Sequence, residues 1–197
     1  MTILTALRTE TSALHHAIES QYPMSVFAQS DFTTQEYACV LRCLLRWYDA
    51  VLPPSRAGLS GTPFAALLDD ELSQFLVKDL QMLGQFTRLS TLQKAPLVMN
   101  TWHCIGACYV ILGSSLGSAY ILKRINVWNK KQPNPLPVAF YSANKQQSAQ
   151  WKAYIELLDD VNDNNAHMVV QGATLIFAQL QQIMTELTIC QPDLSHC

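Results

Sequence analysis

The stretch Gly106-Ala-Cys-Tyr-Val-Ile-Leu-Gly113-Ser-Ser-Leu-Gly117-Ser-Ala-Tyr-Ile-Leu-Lys123 decides how this chain is read. It has the apolar composition of a long buried helix, yet Gly113 and Gly117 sit in its middle. A mid-helix glycine costs about 1 kcal/mol relative to alanine, so two of them one turn apart need a reason. Residues i and i+4 share a helix face, so the two glycines open one patch of backbone without side chains. Ser114 lies beside it. Such a patch suits a flat object lying against the helix, or a second helix packed closely.

Working outward from this helix, the pattern is helical nearly throughout. Residues 2–20 offer Thr2 or Thr5 as a cap and put Leu4, Leu7, Thr11, Leu14 and Ile18 on one stripe. Ser20 to Pro23 breaks this first helix. Thr33 and Glu36 have capping-box spacing at the head of a second helix, which carries Tyr37 to Tyr48 and is expected to stop at Pro53-Pro54. A third helix is expected from about Ala65 to Gly84, with Gly84 as its C-cap. The glycine-bearing helix is expected to start near Pro96 and fade around Asn126. A proline-rich loop (Pro133, Pro135, Pro137) follows, then helices near 146–161 and 164–188. There is no internal repeat and no run of β-alternation. The expectation is an all-α single domain over 1–188 with a polar tail over 189–197.

Composition bounds what such a domain does. The chain has 197 residues, enough for one well-buried core, and is 49% hydrophobic and 14% charged. A net charge of −2 forms no basic stripe, which argues against a nucleic-acid partner. Polar residues interrupt the apolar segments, so no membrane span is expected, and the N-terminus has no signal-peptide form; the cytoplasm is the expected compartment. Cys39/Cys43 and Cys104/Cys108 are spaced i,i+4 without a CxxC, which reads as buried reduced thiols acting as small hydrophobes. Cys190 and Cys197 fall in the polar tail and carry no readable role.

The first helix holds the candidate chemistry, Thr11-Ser-Ala-Leu-His15-His16-Ala-Ile-Glu19. Neutral imidazole is a common iron ligand, and a helix holds it rigidly. Glu19 lies one turn beyond His15, and Arg8 lies two turns before it, about 20° around the helix. An isolated histidine on an amphipathic helix is more often an interfacial side chain than a ligand. His16 points about 100° away from His15, so only one of the two can face a common ligand.

Three blocks together resemble the haem oxygenases in their bacterial form. They are Leu7-Arg8-x-x-Thr11-x-x-x-His15-x-x-x-Glu19, Lys78-Asp79-Leu80-x-x-Leu83-Gly84, and Tyr109-Val110-x-x-Gly113-Ser114-x-Leu116-Gly117. Their order and separations fit the family, and weaker similarity runs through Trp151–Leu157 and Ala173–Leu180. The resemblance implies an all-α fold with haem sandwiched between a proximal helix and a kinked distal helix. It implies His15 as the axial iron ligand, His16 at the surface, and His103 and His167 outside the site. Gly113, Ser114 and Gly117 would form the catalytic distal face, whose close approach directs oxidation to a ring meso carbon while water delivers the proton. Arg8, Lys123 and Lys152 would be propionate contacts, and Tyr109 belongs to the distal signature. The implied reaction converts haem, as both cofactor and substrate, to biliverdin, carbon monoxide and ferrous iron. It uses O2 and electrons from a separate donor, a ferredoxin- or flavodoxin-type system or an NADPH-dependent reductase.

The chain departs from the family pattern at three places. Ser118 stands where many members have a second glycine, Ser114 where some carry an aspartate, and Glu156 where several relatives have an arginine. Two other readings remain: a non-catalytic haem carrier or sensor of the same fold, and a helical interaction domain whose glycines admit a packed helix. A di-metal centre needs Glu-x-x-His pairs, and none occurs.

Overall fold

The computed structural model describes residues 2–29, 31–69, 71–85 and 99–189. Seven α-helices follow in order: α1 (Ile3–Ser20), α2 (Thr34–Leu59), α3 (Leu72–Met82), α4 (Thr101–Asn129), α5 (Ala139–Gln146), α6 (Ser148–Leu158) and α7 (Ala166–Ile189). Short 3-10 turns lie at Met24–Ala28, Pro63–Leu67 and Asp163–Asn165, and no strand occurs among the described residues. Pro96, Cys190 and Cys197 lie outside the described residues.

The local signals at helix ends do what their chemistry dictates. Thr2 caps α1 by accepting from the Thr5 amide at 3.2 Å. Thr33 and Glu36 close a reciprocal capping box on α2. Gly84 takes φ +70°, and the Gly84 and Gln85 amides bond back to Gln81 and Leu80, a Schellman end that a β-carbon would strain.

Elsewhere tertiary burial overrides local expectation. α2 does not stop at Pro53-Pro54 but runs on to Leu59. The prolines remove two N–H donors, but Leu52, Ser55 and Leu59 are buried on either side of them and hold the helix in line. The Ser55 hydroxyl also caps the Val51 carbonyl at 2.6 Å. The expected helix from 65 to 84 divides into the 3-10 turn Pro63–Leu67 and α3; the expected 146–161 helix is the shorter α6, and α5 lies before it where no helix was expected.

α4 is the spine of the molecule. It packs most extensively on α7, and also on α5, α2 and α6, whereas α1 lies mainly on α7. α1 and α4 therefore share α7 as a base without an extensive contact of their own. By length and apolarity alone α4 is long enough to cross a membrane, contrary to the sequence reading, and half of its most apolar stretch is buried against other helices. α4 crosses α7 at close range through Gly106 and Gly172. A β-carbon on Gly106 would strike the Val169 carbonyl and the Ala173 amide, and one on Gly172 would strike the His103 backbone. Glycine is the only residue that lets these two backbones approach so closely.

Candidate functional site

Neither glycine of the Gly113–Gly117 patch admits another helix backbone. A β-carbon built on Gly117 meets nothing within 4 Å, and one on Gly113 meets only the Trp151 ring at an ordinary 3.5 Å. The space outside Gly117 is open. Leu116 and Tyr120 flank it with 52% and 59% of their surface exposed, so this face of α4 is apolar and uncovered. The reading in which these glycines merely admit a helix belongs instead to Gly106 and Gly172.

Ser114 and Ser118 each follow a patch glycine by one residue, and so turn about 100° away from it toward the interior. The Ser114 hydroxyl donates to the Ile111 carbonyl at 2.7 Å. Its oxygen lies 3.1 Å from the Tyr48 hydroxyl and accepts from the Asn144 amide at 3.1 Å. With its one hydrogen engaged, Ser114 is the acceptor in the Tyr48 contact and the phenol is the donor. Burial pushes the Tyr48 hydroxyl up to about 12, so the phenol keeps the proton it donates. Ser118 is buried, donates to the Ser114 carbonyl at 3.2 Å and accepts from Asn144 at 2.8 Å. The extra side chain at position 118 thus enters an internal network and stays off the open face.

The Lys78-Asp79-Leu80 block has a structural task one step removed. Buried Asp79 accepts from the Ala139 and Phe140 amides at 3.0 and 2.9 Å and so fixes the start of α5, the helix that carries Asn144. Burial raises the Asp79 carboxyl above the usual carboxylate range, against the two amide bonds and Lys78, which lower it.

On α1, His15 keeps 58% of its side chain exposed and His16 76%. Glu19 Oε2 stands 3.5 Å from His15 Nδ1 and 3.7 Å from His16 Nδ1. His15 alone also meets α7, edge-on to the Phe177 ring at 6.0 Å between centroids. That contact, with a carboxylate beside Nδ1, orients the His15 ring. His103 belongs to the α4 cap, with its amide on Asn100 Oδ1 at 2.9 Å and its Nε2 3.3 Å from Gln171 Oε1. His167 is exposed.

The candidate cations are all exposed. Arg8 lies on α1. Lys152 faces Glu156 at 3.9 Å in a well-solvated pair, so Glu156 occupies the expected second cation position with a charge that engages the first. Lys123 joins Lys130 and Lys145 around a cavity of about 320 Å³ whose other lining residues are Ala119, Leu122, Asn126 and Val127. Tyr109 is half-buried and leans on Trp151 at 5.6 Å, so its ring packs. Burial raises the thiols of Cys43, Cys104 and Cys108, with Cys104 reaching about 11, so these side chains stay protonated.

Sequence reasoning missed Tyr48, Asn144, Trp151 and Phe177. Tyr48 sits on the buried stripe of α2 and looks like any core aromatic. Asn144 sits in a polar run, Ser142 to Gln150, with no periodicity to single it out.

The sequence matches the family described as "Heme oxygenase" over residues 1–186. Among solved structures, the chain is similar to the heme oxygenase from Leptospira interrogans, with TM-score 0.73 and 20% identity, covering 94% of this chain and 100% of that one. It is also similar to heme oxygenase-1 from the cyanobacterium Synechocystis sp. PCC6803 in complex with heme, with TM-score 0.67 and 16% identity, covering 95% and 92%. No curated relative matches its sequence. These two likenesses carry the fold, and the sequence match over nearly the full length carries the family: the chain belongs to the heme oxygenase family.

Proposed function

We propose that the protein binds haem between α1 and α4 and cleaves it oxidatively to biliverdin, carbon monoxide and ferrous iron, with O2 and electrons from a separate donor protein. The observation that carries this reading is the open, side-chain-free backbone at Gly117, one turn after Gly113, whose only neighbour is the Trp151 ring. A porphyrin is a flat apolar plate with two carboxylates, and the donor set here fits one. The uncovered side chains Leu116 and Tyr120 suit its apolar face. An imidazole steadied by Glu19 and Phe177 suits its iron. Exposed Arg8, Lys123 and Lys152 suit its carboxylates.

Haem, once bound, supplies the redox chemistry, and the protein supplies placement and exclusion. His15, steadied by Glu19 beside Nδ1 and by Phe177, would hold the iron. Gly113 and Gly117 let the α4 backbone lie flat against the other side, and Leu116 and Tyr120 shed water from the rim. The engaged hydroxyl of Ser114 makes it a poor proton donor to this face, so protons reach it through water.

The test is the absorption spectrum of the hemin-loaded protein as reductant is added in air. Loss of the Soret band with growth of a bilin absorption is the expected result. A Soret band that survives reduction and oxygenation identifies a carrier or sensor. Failure to form a histidine-ligated complex overturns the haem reading.

A further inference from the structure

The network behind the glycines is centred on one side chain that no motif singled out. Asn144 is 1% exposed, and its amide nitrogen has two hydrogens, one for Ser114 Oγ at 3.1 Å and one for Ser118 Oγ at 2.8 Å. Each serine in turn sends its only hydrogen to a carbonyl of its own helix, Ser114 to Ile111 and Ser118 to Ser114. Tyr48 donates to the remaining side of Ser114. Every hydroxyl hydrogen in the cluster is therefore spent within the interior. Serine back-bonding of this kind competes with the helix ladder and bends helices, and here it falls in the segment that two glycines already soften. Asn144 Oδ1 is itself buried without a hydrogen-bond partner among the described residues, so the amide is held in place by what it donates.

We propose that Asn144 is a positioning residue for the distal face: its amide locks Ser114 and Ser118 as acceptors and keeps the Ser114 hydrogen from donating over Gly117. The role at the face rests on the haem oxygenase reading, whereas the lock itself is a property of the haem-free protein. It assigns a purpose to the departure at position 118. A glycine there offers Asn144 no acceptor, and the amide then holds Ser114 alone.

Two measurements test this. In haem-free protein labelled with 15N, the Asn144 side-chain amide hydrogens exchange slowly with solvent. Their resonances move in Ser114→Ala and in Ser118→Ala but stay in place in Ser115→Ala, because Ser115 bonds only the Leu112 carbonyl. Fast exchange, or resonances indifferent to both substitutions, overturns the lock. In the hemin complex, Asn144→Leu removes one of the two donors to the Ser114 oxygen, so the Ser114 hydrogen is no longer confined to the Ile111 carbonyl; the pH midpoint at which the iron-bound water ionises then falls, with a change of about three- to tenfold in the ionisation constant, the worth of one neutral hydrogen bond. In a Ser114→Ala background, Asn144→Leu leaves that midpoint unchanged. An equal shift in both backgrounds overturns the positioning role and leaves Asn144 a packing residue. If the wild-type protein forms no hemin complex, the haem reading fails, and the amide measurement still decides the lock.

Discussion

In the proposed function the outer faces of α1 and α4 serve one flat ligand, and they do so by opposite means. On α1 the proposed iron ligand is one imidazole, His15, steadied by one carboxylate at 3.5 Å and one aromatic edge. On α4 the proposed feature is the absence of side chains, and the ordering lies behind the face in Tyr48, Ser114, Ser118 and Asn144. A ligand position is written in one residue and is sensitive to that residue. A smooth face is written in many, and it tolerates local change outside better than change within.

The sharpest way to break this contrast is at the imidazoles. His15→Ala is expected to abolish the histidine-ligated spectrum and turnover, while His16→Ala keeps both; a hemin titration of each variant decides it. Loss of the spectrum in His16→Ala with retention in His15→Ala would reverse the assignment.

Next come the glycines, which separate close packing from an open face within one helix. Gly106→Ala is expected to lower the stability of the haem-free protein by about 3 kcal/mol or more, since both atoms it meets are backbone. Gly117→Ala is expected to raise it by up to about 1 kcal/mol through helix propensity, and to weaken hemin binding. Urea unfolding beside hemin titration reads both. A destabilised Gly117→Ala would mean that the face is already covered.

A smaller effect is expected from Glu19→Gln, which keeps the shape and removes the charge facing His15 Nδ1. Weakening of hemin affinity by about tenfold is expected, the lower end of what an outer partner of a ligand contributes. No change would show that Phe177 alone orients the ring.

The smallest effect concerns Asp79 and distinguishes the supporting frame from the site. Its folded carboxyl titrates above the unfolded value of 3.8, so the folded state binds the proton more tightly. The contribution is therefore most favourable at low pH and is lost as pH rises through the folded value. Urea unfolding from pH 4 to pH 7 should give a flatter profile for Asp79→Asn than for the wild type. Identical profiles would remove Asp79 from the account.

Much of this was legible in the sequence where the physics is local. Thr33 with Glu36, Gly84 at its positive φ, and the stripe through Leu7, Thr11 and Ile18 each depend on neighbours within a turn or two. His15 and the Gly113–Gly117 pair were visible because a ligand-type residue and a costly residue stand out against a helical pattern. Lys152 and Glu156 were legible as identities, and their pairing across one helical turn follows from spacing.

Sequence alone thus determined that the chain is helical, where most helices begin and end, and which residues interrupt the pattern at a cost. Tertiary structure decided what those interruptions are for. Gly106 and Gly117 are the same residue on one helix, yet Gly106 is filled by the α7 backbone and Gly117 faces open space. Pro53 and Pro54 stay inside α2 because buried neighbours outweigh two missing hydrogen bonds. Asn144 gains its partners from a helix 26 and 30 residues away. Helix propensity and capping act over one turn, but burial and side-chain hydrogen bonds join whatever the fold brings together, and no local pattern encodes that meeting.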